Sequence, residues 1–178
     1  MPTLRDATPA DALAIAGVQV RAWQAAYRGL IDDEFLDGLL PEDRANRYRL
    51  GDEDPMTART VLAEAGGEVL GFARFGLCRD DDARTAGEIY ALYVDPSRWR
   101  TGTGRLLLDD ATDRFRADGF EVAVLWVLRG NEAAERFYES AGWRRDGAER
   151  EEQPYGVVSN VLRMRRSLVP ARSQVEVR

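Results

Sequence analysis

The order of apolar and polar positions divides the chain into short helical and extended segments. A brief extended stretch from Thr3 to Ala7 leads to the helix-start signal Thr8-Pro9, after which Leu13, Ala16, Val20 and Trp23 recur at helical spacing. One amphipathic helix is predicted there. Asp32 to Leu40 and Pro41 to Leu50 read as one or two further short helices, with Pro41 at a first helical position, where a missing N–H costs nothing. Arg59 to Ala65 and Glu68 to Gly76 read as strands joined across Ala65-Gly66-Gly67, a hairpin. Arg79 to Arg84, with Asp80-Asp81-Asp82, is polar and reads as a solvated loop tip rather than a metal site.

From Gly87 to Gly142 the pattern changes to strand, loop, helix, strand, helix: Glu88 to Val94, Thr103 to Ala117, Glu121 to Leu128 and Asn131 to Ala141. Strand-helix-strand order implies neighbouring strands with a right-handed crossover, so the strand around Val124 is expected beside the strand around Tyr93. Arg144 to Arg150 and Val157 to Arg165 predict two closing strands around a turn near Pro154-Tyr155-Gly156. The tail from Val169 onward has little to bury and is expected to be disordered, leaving one domain over residues 1–168. The expected class is α/β, a mixed central sheet flanked by helices.

Composition narrows the chemistry. With 178 residues and 44% hydrophobic content the chain fills one core. A formal charge of -6 argues against nucleic acid as the main partner, and no stretch approaches the ~20 apolar residues of a membrane span. The single cysteine, Cys78, makes neither an internal disulfide nor a multi-cysteine zinc site, so a reducing cytoplasmic setting is expected. The chain has no histidine, and its 25 basic residues are all arginines. That removes Ser-His and Cys-His nucleophile pairs, imidazole bases, histidine metal clusters, lysine Schiff bases and the phosphate-cradling GK[ST] loop. Carboxylates, tyrosines and Cys78 remain as acids and bases.

After the strand ending at Val94 comes Asp95-Pro96-Ser97-Arg98-Trp99-Arg100-Thr101-Gly102-Thr103-Gly104-Arg105-Leu106, with Leu107, Leu108, Ala111 and Phe115 following at helical spacing. Free N–H groups at a helix start bind anions, and Gly102 and Gly104 remove side chains that would hold a phosphate off the backbone. A dinucleotide fingerprint would need glycine at position 107, where Leu107 stands.

Glu88-Ile89-Tyr90-Ala91-Leu92-Tyr93-Val94-Asp95-Pro96, then Gly102-Thr103-Gly104-Arg105-Leu106-Leu107, then Asn131-Glu132-Ala133-Ala134-Glu135-Arg136-Phe137-Tyr138-Glu139-Ser140-Ala141-Gly142-Trp143 together resemble the GNAT superfamily of acetyl-CoA-dependent N-acetyltransferases. The resemblance covers about Glu88 to Trp143. It implies acetyl transfer from acetyl-CoA to a primary amine by direct attack in a ternary complex, without a metal. The amides of Arg100, Thr101, Gly102, Thr103, Gly104 and Arg105 would hold the coenzyme A pyrophosphate. Leu92, Tyr93 and Val94 would pair with the pantetheine arm, and a backbone N–H near Tyr93 or Val94 would steady the oxyanion. The family often forms dimers. One position departs from its pattern: Trp99, three before Gly102, replaces the usual Gln or Arg.

On the helix from Asn131, positions 131, 134 and 138 share one face, so Asn131, Ala134 and Tyr138 look toward the ligand groove. Tyr138 matches the family's general acid, since a phenol with a pKa of about 10 is protonated at neutral pH. Asn131 also suits a helix N-cap. For the base the candidate is Glu88, because strand alternation puts Glu88, Tyr90, Leu92 and Val94 on one face; a water chain is the alternative. The glutamate that some family members carry five residues before the motif asparagine is Trp126 here. Trp23, Tyr27 and Tyr90 are the candidate acceptor-binding residues. The acceptor is expected to be a small-molecule or peptide amine, and the negative charge of the chain is compatible with a cationic one. A non-catalytic acyl-CoA-binding or sensing module with a protein partner is the other reading.

Overall fold

The computed structural model describes residues 1–51, 58–153 and 156–169. Gly66 and Gly67 turn the chain back at φ of 60° and 80°, and so form the expected hairpin of β2 (Arg59–Ala65) and β3 (Glu68–Leu77). The other strands are β1 (Thr3–Asp6), β4 (Gly87–Val94), β5 (Val122–Leu128), β6 (Arg144–Glu152) and β7 (Ser159–Ser167). They lie in one sheet in the order β1-β2-β3-β4-β5-β7-β6. Every neighbouring pair is antiparallel except β4 with β5, which is parallel as the strand-helix-strand order predicts.

Helices cover both faces. On one side lie α1 (Ala12–Ala26), α2 (Asp33–Asp37) and α3 (Pro41–Ala45); on the other lie α4 (Thr103–Ala117) and α5 (Glu132–Ser140). Before α1, the Asp11 carboxylate accepts hydrogen bonds from the Thr8 amide and hydroxyl, each at 2.8 Å, and grips Arg5 of β1 through both oxygens. The buried stripe of α1 comprises Ile15, Ala16, Val18, Val20, Ala22 and Trp23, whereas Leu13 is 54% exposed and lies off that face, contrary to expectation.

The α4 crossover packs on the sheet through Leu107, Leu108, Ala111 and Phe115, all essentially buried; each such side chain contributes about 1.5–3 kcal/mol of transfer free energy. Gly87 makes this approach possible, because a Cβ there would lie 2.5 Å from the Phe115 ring.

One expectation holds only in part. From Arg79 to Arg84 the chain is a loop with Arg79, Asp81, Asp82 and Arg84 exposed and a single 3-10 turn at Asp81–Ala83, but Ala83 and, against expectation, Asp80 are buried. The cause is Arg163 on β7, whose guanidinium is buried and bonds to Asp80, Asp82 and Asp146 at 3.1, 2.7 and 2.7 Å. A buried cation requires such paired acceptors. Val169 is exposed, while the tail beyond it and the turn at Pro154-Tyr155 lie outside the described residues. Among the described residues no helix is long and apolar enough to cross a membrane.

Candidate active site

Pairing between β4 and β5 stops early. Only Gly87, Ile89 and Glu88 between them face Ala123, Leu125 and Val124; beyond Ile89 the strands diverge. The divergence opens a groove of about 670 Å³ bounded by β4, β5, α5 and the end of α1. Along one wall runs the β4 segment Tyr90 to Val94, whose β5-facing edge has no strand partner among the described residues.

At one end the groove meets the start of α4. Gly102 is the N-cap at φ 91°, no side chain caps the first amides of the helix, and an added Cβ at Gly102 would meet no atom within 4 Å. Arg100 also takes a left-handed conformation, at φ 61°. The amides and the positive helix end thus face open space beside the arginines Arg98, Arg100, Arg105 and Arg136. These features suit a diphosphate.

Asn131 caps α5, its Oδ1 accepting from the Ala134 amide at 3.2 Å, and the helix carries Tyr138 to the groove. Tyr138 is nearly buried against Phe137 and Trp143, with ring centroids 5.1 and 6.1 Å away. Burial, reinforced by Tyr93, raises its hydroxyl above the ordinary phenol value. Tyr27 is raised in the same way by burial, by Tyr93, to which it hydrogen-bonds, and by Tyr138. Tyr90 is pushed up to about 12, mainly by burial and then by Glu88, and its hydroxyl donates to the Leu77 carbonyl. All three therefore stay protonated at neutral pH.

The groove brings together most of the residues singled out from the sequence. Leu92, Tyr93, Val94, Arg100, Gly102, Gly104 and Arg105 line it, as do Asn131, Ala134 and Tyr138 on α5, and Tyr27 and Tyr90 at the far end. Three of the others take structural positions. Thr103 is buried, and the Thr101 and Thr103 hydroxyls lie 3.0 Å apart while Thr101 donates to the Arg98 carbonyl. Trp23 lies in the core with Ile31 and Leu36, stacked edge-on to Tyr27 at 5.2 Å.

Glu88 is the main geometric correction. The β3–β4 register shifts between Arg74↔Ala91 and Phe75↔Ile89, so Tyr90 is an extra residue and the alternation changes phase. Ile89, Leu92 and Val94 consequently share the α4 face, while Ala91 and Tyr93 face α1. Glu88 is separated from Leu92 and Val94, does not line the groove and is 1% exposed. Its carboxylate accepts from the Arg79 amide, Nε and Nη2 at 3.0, 3.2 and 2.7 Å.

Two tryptophans in the lining had no acceptor or cofactor role in the sequence reading. Trp99 is 44% exposed, and its indole N–H donates to the Val94 carbonyl at 2.8 Å, tying the glycine loop to the end of β4. Trp126 donates to Asp80 at 3.0 Å and lies under Arg150, 3.9 Å from the ring centroid. Its partner at position 80 is invisible in local sequence.

The Acetyltransferase (GNAT) family model matches residues 20–143. The chain belongs to the GNAT acetyltransferase family. YuaI, an uncharacterized N-acetyltransferase of Bacillus subtilis (strain 168), is 30% identical to this GNAT acetyltransferase over 131 residues, 74% of each chain. A mycothiol acetyltransferase of Propionibacterium freudenreichii is 36% identical over 105 residues, which are 59% of this chain and 33% of that longer one. Among solved structures, yncA of Salmonella typhimurium, with its cofactor acetyl-CoA, superposes with a TM-score of 0.69 at 24% identity, covering 99% of both chains.

Proposed function

We propose that this GNAT acetyltransferase moves the acetyl group of acetyl-CoA to a primary amine by direct attack in a ternary complex, in a cytoplasmic setting. The observation that carries the reading is that one groove is lined by the uncapped start of α4, by the unpaired edge of β4 and by Tyr138. Gly102, Gly104 and Arg100 would hold the diphosphate, and the backbone of Leu92 to Val94 the pantetheine arm. The bound thioester supplies an activated acyl carbon and a leaving sulfur. The amine nitrogen bonds to that carbon as the carbon–sulfur bond breaks, and a backbone N–H near Tyr93 or Val94 steadies the oxygen. Tyr138 gives its proton to the sulfur, and the proton lost by nitrogen returns to the phenolate through water. Because burial raises the Tyr138 hydroxyl, the phenol is held in its acid form. No step is routed through Glu88, whose oxygens are taken by Arg79.

Calorimetric titration with acetyl-CoA, with CoA and ATP as comparators, tests the cofactor half. Saturable one-site binding with ATP much weaker is expected, followed by amine-dependent thiol release. A folded sample that binds no acetyl-CoA overturns the proposal.

A further inference from the structure

The acceptor end of the groove is built in a way that discriminates among amines. Around it, the described carboxylates Glu88, Asp80 and Glu152 are already committed to cations or an indole. Glu88 on β4 takes three donors from Arg79. Asp80 accepts from Trp126 and Arg163 at 3.0 and 3.1 Å and from Arg150. Glu152 on β6 takes Arg150 at 2.7 Å. Among the described lining residues the titratable side chains are phenols and arginines.

Two of the lining rings, Tyr90 and Trp126, already carry a guanidinium over one face. An ammonium group is attracted to the face of an electron-rich ring. Here the Arg79 guanidinium lies 4.2 Å over Tyr90, and Arg150 lies over Trp126, with Arg163 at 5.6 Å from the same ring. Arg74, on β3, adds a further positive charge near Tyr90 and donates to Thr60 at 3.2 Å. Tyr27 from α1, Tyr93 from β4 and Tyr138 from α5 complete the surroundings. A cationic amine therefore meets paired guanidinium groups and neutral phenols.

We infer that the acceptor is an amine of low basicity, an α-amino group or a weaker base, which enters already neutral and is used in preference to ε-amino groups and polyamines. The inference rests on the acetyl-transfer reading above and names its substrate class. It also departs from the expectation drawn from the net charge, because Glu88, Asp80 and Glu152 beside the groove are already paired with guanidinium groups. The size of the effect follows from the neutral fraction. At pH 7.5 an α-amine of pKa about 7.8 is roughly one-third neutral and an ε-amine of pKa about 10.4 roughly 0.1% neutral, a ratio of about 250.

The test uses two isomers, Nε-acetyl-lysine amide, which presents a free α-amine, and Nα-acetyl-lysine amide, which presents a free ε-amine. Thiol release is followed from pH 6 to 10 after acetyl-CoA binding has been confirmed by calorimetry on the same sample. The expected result is a kcat/KM at pH 7.5 that is higher for the α-amine by about two orders of magnitude. The pH limb for each isomer should rise toward the pKa of that isomer's own amine. A limb with one shared apparent pKa for both isomers reveals an enzyme base and overturns the inference, as does equal turnover of the two at pH 7.5. Acetyl-CoA binding without turnover of the α-amine isomer overturns it while leaving the cofactor site standing, whereas absence of acetyl-CoA binding removes the acetyl-transfer reading itself.

Discussion

Gly102 allows backbone strain and charge to be separated in one experiment. Its φ of 91° is one that L-residues avoid, yet a Cβ there would touch nothing within 4 Å. Gly102→Ala therefore reports backbone conformation alone, at a cost of about 1–2 kcal/mol. For a chain of this size that lowers Tm by about 2–8 °C, taking roughly 2–4 °C per kcal/mol. Gly102→Glu carries the same backbone cost and adds a carboxylate beside the open amides of α4. At about 5 Å from a phosphate and an effective dielectric of about 20, one pair of unit charges repels by about 3 kcal/mol. Flexibility and solvent reduce this, so a further loss of about 10–100-fold in acetyl-CoA affinity is expected relative to the alanine variant. Calorimetric titration of both variants gives the ratio directly. Raising the salt to 1 M, where the Debye length is about 3 Å, should shrink it. A folded Gly102→Glu protein that binds acetyl-CoA as tightly as Gly102→Ala refutes the placement of the diphosphate at this helix start.

Tyr138→Phe should lower kcat by about 10²–10⁴ while leaving acetyl-CoA affinity nearly unchanged, as read by thiol release and calorimetry; unchanged turnover removes the phenol from proton transfer. Arg163→Met leaves Asp80 short of a cation in a buried site and should cost about 3–5 kcal/mol in urea unfolding, with the Asp80→Asn/Arg163→Met double variant recovering part of the loss. The Asp11 carboxyl is held well below the usual carboxylate range, chiefly by the Arg5 guanidinium and then by Thr8. Its folded value lies below its unfolded one, so its stabilisation is complete above about pH 5 and is lost as pH falls through the acid range. Tm should accordingly fall less between pH 5 and pH 3 for Asp11→Asn than for the parent chain, and equal slopes contradict the assignment.

The parts of the fold that were legible from sequence are those fixed by local chemistry. Gly66-Gly67 announces a hairpin, Thr8-Pro9 a helix start, and Val94 to Leu108 a strand, a glycine turn and a helix, because each depends on residues within one or two turns. The glycine turn at the start of α4, which lines one end of the groove, was legible for the same reason. What was missed depends on distant pairing. The phase of β4 changes at Tyr90 only because β3 is one residue short opposite it, and this shift removes Glu88 from the face of Leu92. Asp80 looks solvated in a run of aspartates, yet the cation that buries it is 83 residues away on β7. Trp23 fits an acceptor wall by type, but Ile31 and Leu36 of a separate segment enclose it.

The same distinction separates the two ends of the site. Both α4 and α5 leave the sheet from the C-terminal ends of the parallel pair β4 and β5, so the positive start of α4 and the Tyr138 face of α5 reach one opening. An opening beyond the carboxyl ends of parallel strands is where α/β sheets commonly bind ligands. The acceptor end is dressed differently: Arg150 and Arg163, which cover Trp126 and hold Asp80, lie on β6 and β7, beyond the 20–143 segment that the family pattern describes. The acyl donor is therefore legible from what this chain shares with its family. If the arginine-carboxylate network behind Trp126 governs the acceptor, as the low-basicity inference requires, substitutions at Asp80, Arg150 or Arg163 should change acceptor preference before they change acetyl-CoA affinity.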